Sequence, residues 1–216
     1  AIDVYDNAMF IIALDYLLEM APDSPQASRW KSLREGIERN VRAHLWDVKR
    51  QKFIPHIYPE KSPIPEGFDE LAIHYHGGTA IAIEAGLLSK DEIRTVNAQM
   101  LENVRLSGMP SIGLTLYPVY PDGFFHGGMS KAYLYQNGGD WTWFGGRMIQ
   151  QLVVNGMVEE AYAEIHPMIE RVIQNDGFYE WYGKGGVPSG SGNFEGSAGV
   201  LSKAIELLRD WAEKNK

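Results

Sequence analysis

Apolar positions along the chain follow two habits. Val4 to Met20 contains the run AMFIIAL, Ala8 to Leu14, with no polar stripe, which marks a helix enclosed on most sides. From Ala27 to about Leu45 the apolar residues fall instead at Ala27, Trp30, Leu33, Ile37, Val41 and Leu45. Arg29, Lys31, Arg34, Glu35, Glu38, Arg39 and Arg42 lie opposite, so this helix has one wet face. The habits then alternate. Asp69 to Ala85 is nearly uncharged after its first turn, and Ser89 caps a one-faced helix carrying Ile93, Val96, Met100, Leu101 and Val104. Asp140, at an N-cap position after the turn Asn137-Gly138-Gly139, opens an apolar run whose only further charge is Arg147. Val158, Ala161, Tyr162, Ile165, Ile169, Val172 and Ile173 form another stripe, with a bend expected at Pro167. Phe194 to about Glu213 begins with the small residues Gly196, Ala198 and Gly199. The pattern predicts seven helices in the order inner, outer, inner, outer, inner, outer, inner.

The links between them are unequal. Inner-to-outer links are short turns around Ala21 to Ser24, Gly86 to Ser89 and Gly156, the first ending on a cap signal, Asp23-Ser24-Pro25. Outer-to-inner links are long, over 46–68 (with a short hairpin expected around Lys49 to Tyr58), 106–138 and 175–193, well above the two to eight residues usual in bundles. Antiparallel neighbours put alternate links at opposite ends, so the three long ones share one end with the inner helix N-termini. The expectation is all-α, an incomplete (α/α)6 toroid of about seven helices. An ordinary solenoid or bundle explains the alternation but not the one-sided loops.

Composition narrows the function classes. A chain of 216 residues with 44% hydrophobic content can bury one core, and a single domain over 1–216 is expected. No window approaches eighteen uninterrupted apolar residues and no basic-then-apolar leader opens the chain, so no membrane role is expected; cytoplasmic and exported locations both stay open. The absence of cysteine excludes disulfides and thiolate metal sites. A net charge of -8, with Lys and Arg on outer helical faces, argues against nucleic acid. The helical pattern is under way by Val4 with nothing before it to cover that end, so a piece of a longer catalytic domain is expected, its open side covered by the upstream half or by a second copy.

The loop-bearing end gathers Asp6, Asn7, Asp69, Glu70, Asp140 and Glu180 among Tyr75, Tyr117, Tyr120, His126, Tyr135, Trp141, Trp143 and Trp181. Carboxylates among rigid rings, without a basic cluster, suit a neutral sugar: the rings stack on its apolar faces and the acids bind its hydroxyls. Each acid also has a plainer reading. Asp6 suits the positive end of a helix dipole, Asp140 an N-cap, and Asp69 and Glu70 caps as well. His74 and His76, two apart on a helix, would point to different faces and share no metal. Gly185 to Gly192 lacks the lysine and spacing of a phosphate loop and reads as a flexible cover. No metal or cofactor is implied.

Tyr5-Asp6-Asn7-Ala8 at the start of an inner helix, Asn137-Gly138-Gly139 before Trp141-Thr142-Trp143, and Tyr179-Glu180-Trp181-Tyr182 followed by Gly192-Asn193-Phe194-x-Gly196-Ser197-Ala198-Gly199 resemble the six-hairpin (α/α)6 glycosidases, in particular the processing α-glucosidase and trehalase group. The resemblance implies the C-terminal half of such a toroid: an inverting glycoside hydrolase for an α-linked oligo- or disaccharide, with Asp6 as general acid and Glu180 as the base that activates water. It also implies sugar contacts from Asn7, Tyr75, His76, His126, Tyr135, Asn137, Asp140, Trp141, Trp143 and Trp181. An acid at position 140 departs from the uncharged residues commoner there and stands as a sugar-binding group or a rival acid. Three alternatives remain: a sugar phosphorylase without the base, an epimerase using His74, His76 or His126, and a non-catalytic sugar-binding half-toroid.

Overall fold

The computed structural model describes all residues 1–216. Its seven α-helices are α1 (Val4–Met20), α2 (Ala27–His44), α3 (His76–Glu84), α4 (Lys90–Ser107), α5 (Thr142–Val154), α6 (Val158–Asn175) and α7 (Glu195–Lys214). The local signals that set their ends are plain. Asp3 caps α1 by accepting from the Asp6 N–H at 3.0 Å, and Ser89 with Glu92 forms a reciprocal capping box on α4. Left-handed residues close α4 at Gly108 and α6 at Asp176.

Packing sorts the helices into two curved rows. α1 packs on α3, α3 on α5 and α5 on α7, while α2, α4 and α6 lie behind α1, α3 and α5. The inner row is close because glycines face neighbouring helices: a Cβ on Gly78 would stand 2.7 Å from Val4 Cγ1, and one on Gly146 would stand 2.9 Å from Val200 Cγ2. Ile11, Ile81, Met148, Ile149 and Leu152 fill the space between the rows. The outer row is tied by an Arg42–Glu92 ion pair at 2.7 Å between α2 and α4, and by Asn97 donating to Glu164 at 2.7 Å between α4 and α6. The expected all-α, toroid-like arc is therefore present.

The three long links run over 45–75, 108–141 and 176–194, and all meet at one end, as the alternation of link lengths requires. Backbone bridges join Ile2 to Ile57, His74 to Tyr117, Leu114 to Asp140, Asp140 to Tyr182 and Phe178 to Asn193. Loop amides that would otherwise be buried without partners thus satisfy one another. Two small antiparallel hairpins, β1 (Trp46–Asp47) with β2 (Lys52–Phe53) and β3 (Trp181–Tyr182) with β4 (Pro188–Ser189), stiffen the first and third links. The first of these lies over Trp46 to Phe53, earlier in the chain than the hairpin expected around Lys49 to Tyr58.

Three expectations need correcting. The third helix begins at His76 rather than Asp69: only Glu70–Ala72 makes a 3-10 turn, and Ile73 to Tyr75 is drawn out because His74 exchanges backbone hydrogen bonds with Tyr117 at 2.7 and 3.1 Å. α5 starts at Thr142 with Trp141 at its N-cap, so Asp140 does not cap it. α2 starts at Ala27, after a turn, rather than on Pro25.

Both edges of the arc are apolar and bare. On α1, Phe10 is 48% exposed and Met20 73%, although that helix reads as enclosed on every side. At the other edge Tyr162, Ile165, Ile205 and Trp211 line a groove of about 650 Å³ between α6 and α7. No helix is long and apolar enough to cross a membrane.

The α4–α6 contact carries a testable charge. Burial pushes the Glu164 carboxyl up to about 7 from 4.5, against the hydrogen bond from Asn97 and with a push from Glu160. Asn97 Oδ1 and Glu164 Oε2 both lack partners, which suits a protonated acid facing an amide. The folded state then holds the extra proton, so stability falls as pH rises from 4.5 toward about 7, by roughly 3 kcal/mol in all, and is flat above. Glu164→Gln is expected to remove that slope and raise the urea midpoint above pH 7; an unchanged slope counts against the account.

Candidate active site

The loop-bearing end is built over a buried ion pair. Asp140 has no exposed surface, and its carboxylate accepts from the Ser111 N–H at 2.7 Å, from the Ser111 hydroxyl, and from the Arg171 guanidinium at 2.7 Å. Arg171, on α6, also donates to Thr142 Oγ1 at 2.7 Å and lies 4.0 Å over the Tyr182 ring. One pair thus gathers the second loop, the third loop, the start of α5 and the body of α6. Its carboxylate is fully engaged beneath the surface, so Asp140 holds the mouth together instead of capping α5.

A row of rings lies across that foundation. Tyr5 meets Phe144 edge-on at 6.0 Å, Phe144 meets Trp141 at 6.2 Å, Trp141 meets Tyr135 at 4.9 Å, and Tyr135 meets Trp181 at 6.3 Å. Trp141 Nε1–H donates to the Tyr135 carbonyl at 3.1 Å, and Tyr135 is held in a left-handed conformation, φ 50°. Gly139 has no room for a side chain between the Tyr135 backbone and Trp181. In sequence its first ring, Tyr5, precedes Asp6 and its last, Trp181, follows Glu180. Trp143 stands off it, its ring 4.3 Å under Arg147 and against Gly196.

The acids divide into two kinds. Glu70 and Asp140 are buried and engaged from within the chain, Glu70 accepting on Oε1 from Tyr58 at 2.7 Å, Tyr120 at 2.6 Å and His56 at 2.8 Å. Asp6 and Glu180 have no side-chain hydrogen bond or ion pair. Because Asp3 supplies the cap of α1, the Asp6 carboxylate is left over, and it is exposed. Glu180 is half-buried, with its backbone N–H on Ser191 O at 2.9 Å and its carboxylate against Gly190, whose φ of 74° and missing side chain make the space.

Other expected contacts are distributed unevenly. Tyr75 flanks Asp6: burial first, then the charges of Asp3, Tyr5 and Asp6, raise its hydroxyl well above the usual range. Asn7 donates to the Asp3 carbonyl at 2.7 Å and is half-buried. Asn137 is buried and fully occupied, accepting from Tyr120 N–H at 2.9 Å and donating to Tyr120 O at 3.1 Å, so it shapes the second loop. His126 is exposed on that loop. His76 is buried against Asn103 of α4 at 2.9 Å, and stacks on His74 with centroids 5.6 Å apart. The two rings share a side because residues 73–75 are extended rather than helical. Burial, then the charge of Lys52, lowers His74 to about 4; burial, then His74 and Lys52, lowers His76 to about 3, so both stay neutral. The sequence reading missed His56 and Tyr58 altogether. Their two-residue spacing on an extended segment was the one available signal, and their partner Glu70 read as a cap.

No family model matches the sequence, and neither does any curated protein. Solved structures do. GH63 mannosylglycerate hydrolase from Thermus thermophilus in complex with glucose superposes with a TM-score of 0.63 at 19% identity, over 96% of this chain and 45% of that one. The same hydrolase in complex with Tris and D-glycerate gives 0.62 at 18%, over 96% and 45%. An uncharacterized conserved protein from the same organism gives 0.63 at 19%, over 96% and 46%. The fold is shared along nearly the whole of this chain, which spans less than half the length of those proteins.

Asp140→Ala is expected to destabilise the fold by about 3–5 kcal/mol, because it strands a buried guanidinium; Asp140→Ala combined with Arg171→Met recovers part of the loss. Urea denaturation of both variants checks it, and a cost below about 1 kcal/mol for the single change would show that water replaces the carboxylate.

Proposed function

We propose that this chain is the C-terminal portion of a glycoside hydrolase whose general acid is Asp6 and whose general base is Glu180. The observation that carries the reading is the division among the acids. Glu70 and Asp140 are consumed by internal hydrogen bonds, whereas Asp6 and Glu180 have none and are the sequence neighbours of Tyr5 and Trp181, the end rings of the row; Asp69 is free as well but neighbours no ring of the row. Tyr5, Tyr135 and Trp181 are the half-buried rings of the row, backed by buried Trp141 and Phe144; such rings offer a surface for the apolar faces of a sugar, and free carboxylates are what acid-base cleavage requires. The shared fold of a mannosylglycerate hydrolase supports the same class.

In this mechanism Asp6 protonates the oxygen of the departing group while Glu180 takes a proton from water on the opposite ring face, giving inversion at the anomeric carbon with an α-linked substrate. Inversion places the two carboxyls about 6.5–9.5 Å apart, leaving room for that water. Tyr75, Tyr135, Trp143, Trp181, Asn7 and His126 are the contacts left to the sugar. Asn137, Asp140, Trp141 and His76 act from behind by shaping the loops. An epimerase reading is weakened because His76 is buried against Asn103 of α4 and half-buried His74 stacks on it, both held neutral well below the usual histidine range. The bare apolar edges on α1 and on the α6–α7 groove fit a longer toroid whose remaining helices pack there, or a second copy of the chain.

Glycosidase assays on the longest natural polypeptide containing this segment test the assignment. Glu180→Gln and Asp6→Asn should each lower kcat to below about a hundredth, with KM changed much less, as expected for removal of a general acid or base. Retention of more than a tenth of the activity by either variant removes that residue from the chemistry.

A further inference from the structure

Between the first and second loops, next to the ring row, lies a cavity of about 140 Å³. Ile73, Leu116, Phe125 and Met129 give it apolar walls, and four side chains with polar ends line it: His56, Tyr75, Gln136 and Tyr120, the last with its hydroxyl committed to Glu70. Nothing in the proposed acid-base pair uses it. Its volume falls below the roughly 300 Å³ at which pockets for drug-sized ligands begin, so it suits a single small group.

The polar side of this cavity is built from behind. Glu70 is a buried carboxylate whose Oε1 accepts from Tyr58, Tyr120 and His56 Nδ1, at 2.7, 2.6 and 2.8 Å. Both phenols are raised well above their usual range, by burial first and then by the hydrogen bond to Glu70, so they remain donors. His56 Nδ1 lies 2.8 Å from Glu70 and 3.2 and 3.3 Å from the Tyr58 and Tyr120 hydroxyls, which fixes the ring's orientation; with Glu70 as a carboxylate Nδ1 carries the hydrogen, and the protein's hydrogen bonds to this ring all fall on Nδ1, leaving Nε2 for a ligand. A carboxylate held by three donors behind a histidine is a costly arrangement if the histidine merely packs.

Charge selects the ligand. The cavity lining contains no lysine or arginine. Any positive charge on His56 is offset by Glu70 2.8 Å behind it, so an entering acid finds no cationic clamp and is opposed by that carboxylate. A hydroxyl has no such penalty: it can donate to Nε2 while the Tyr75 and Gln136 ends complete its hydrogen bonds. Tyr75 also places the cavity beside the start of α1: its ring and the Val4 side chain crowd the same side of Gly78, and Asp6 stands in that first turn of α1, where a leaving group must sit if Asp6 protonates it.

We propose that this cavity is the subsite for the departing portion of the substrate, that it takes a neutral hydroxylated group in preference to an acid, and that His56, oriented by Glu70, is its specificity-determining contact. The position of the cavity within the catalytic cycle rests on the function proposed above. The preference for a neutral ligand rests on the cavity alone.

The walls all come from this chain, so the 216-residue protein is the sample for the test. Glucose and glucuronate, the same ring with and without a carboxylate, are titrated while the His56 ring signal is followed by NMR, identified by its loss in His56→Phe. Glucose should shift that signal saturably and glucuronate should need at least tenfold more ligand. Glu70→Gln should narrow the gap between the two sugars at least threefold, which a merely structural Glu70 would not do. Gln136→Leu, on the exposed rim, should weaken glucose several-fold and serves if His56→Phe does not fold. Equal or tighter binding of glucuronate overturns the inference. A motionless His56 signal while tryptophan fluorescence responds to glucose also overturns it but leaves the hydrolase reading standing. Silence in both probes overturns the inference and leaves the hydrolase reading to the activity assays on the longer polypeptide.

Discussion

The mouth of this molecule depends on a charge pair with no access to water. Helices alone would leave three long loops at one end with dozens of peptide groups to satisfy, and no sheet to satisfy them. The pairing of Asp140 with Arg171 supplies a fixed point: it fastens the second loop to α6, reaches the first residue of α5 through Thr142, and lies against Tyr182 of the third loop. From there the backbone bridges Leu114–Asp140–Tyr182 and His74–Tyr117 extend the order outward. Such a pair contributes little net stability compared with a hydrophobic substitute, but with one member missing it is strongly unfavourable. Its effect is therefore to make one arrangement of the loops far more favourable than any other.

That constraint determines which side chains are left for chemistry. Once Asp140 and Glu70 are engaged from within the chain and Asn137 is consumed by Tyr120, the polar groups at the mouth without internal partners are few. Asp6 is free because Asp3, three residues earlier, performs the capping that Asp6 could have done. Glu180 is free of side-chain partners and lies against Gly190, a glycine in a left-handed conformation where any side chain would collide with the carboxylate. The geometry of the ring row is set by neighbours rather than by a ligand, as preorganised binding demands.

Much of this architecture is legible in the residues. The alternation of all-round apolar and one-faced helices fixes the two rows, since periodicity reports burial directly, and unequal link lengths fix which end carries the loops. The Ser89 box and the glycines after α3 and α5 mark true boundaries. The readings that fail are those in which a distant partner overrides a local signal. Asp140 sits at a position that reads as an N-cap, yet its oxygens are claimed by Ser111, twenty-nine residues away, and by Arg171. Asp69 to Tyr75 has helical composition, but the bridge from His74 to Tyr117 draws it out and turns two histidines assigned to different faces into a stacked pair. Glu70 reads as a cap and is the centre of a four-residue cluster whose members, His56, Tyr58 and Tyr120, approach it from up to fifty residues away. No window of sequence contains that information.

The same geometry separates what this chain settles alone from what its open edges govern. Glu180, the ring row and the small cavity beside Tyr75 are framed by loops 45–75, 108–141 and 176–194, each anchored to its neighbours by hydrogen bonds within the chain. Asp6 differs. It stands in the first turn of α1, the helix whose outer face carries exposed Phe10, Tyr16 and Met20, and it is exposed to water. On the function proposed above, an acid at Asp6 would need its proton kept by a low-dielectric surrounding, which apolar surface laid over the α1 edge would supply, whereas the proposed base is already framed by this chain's own loops.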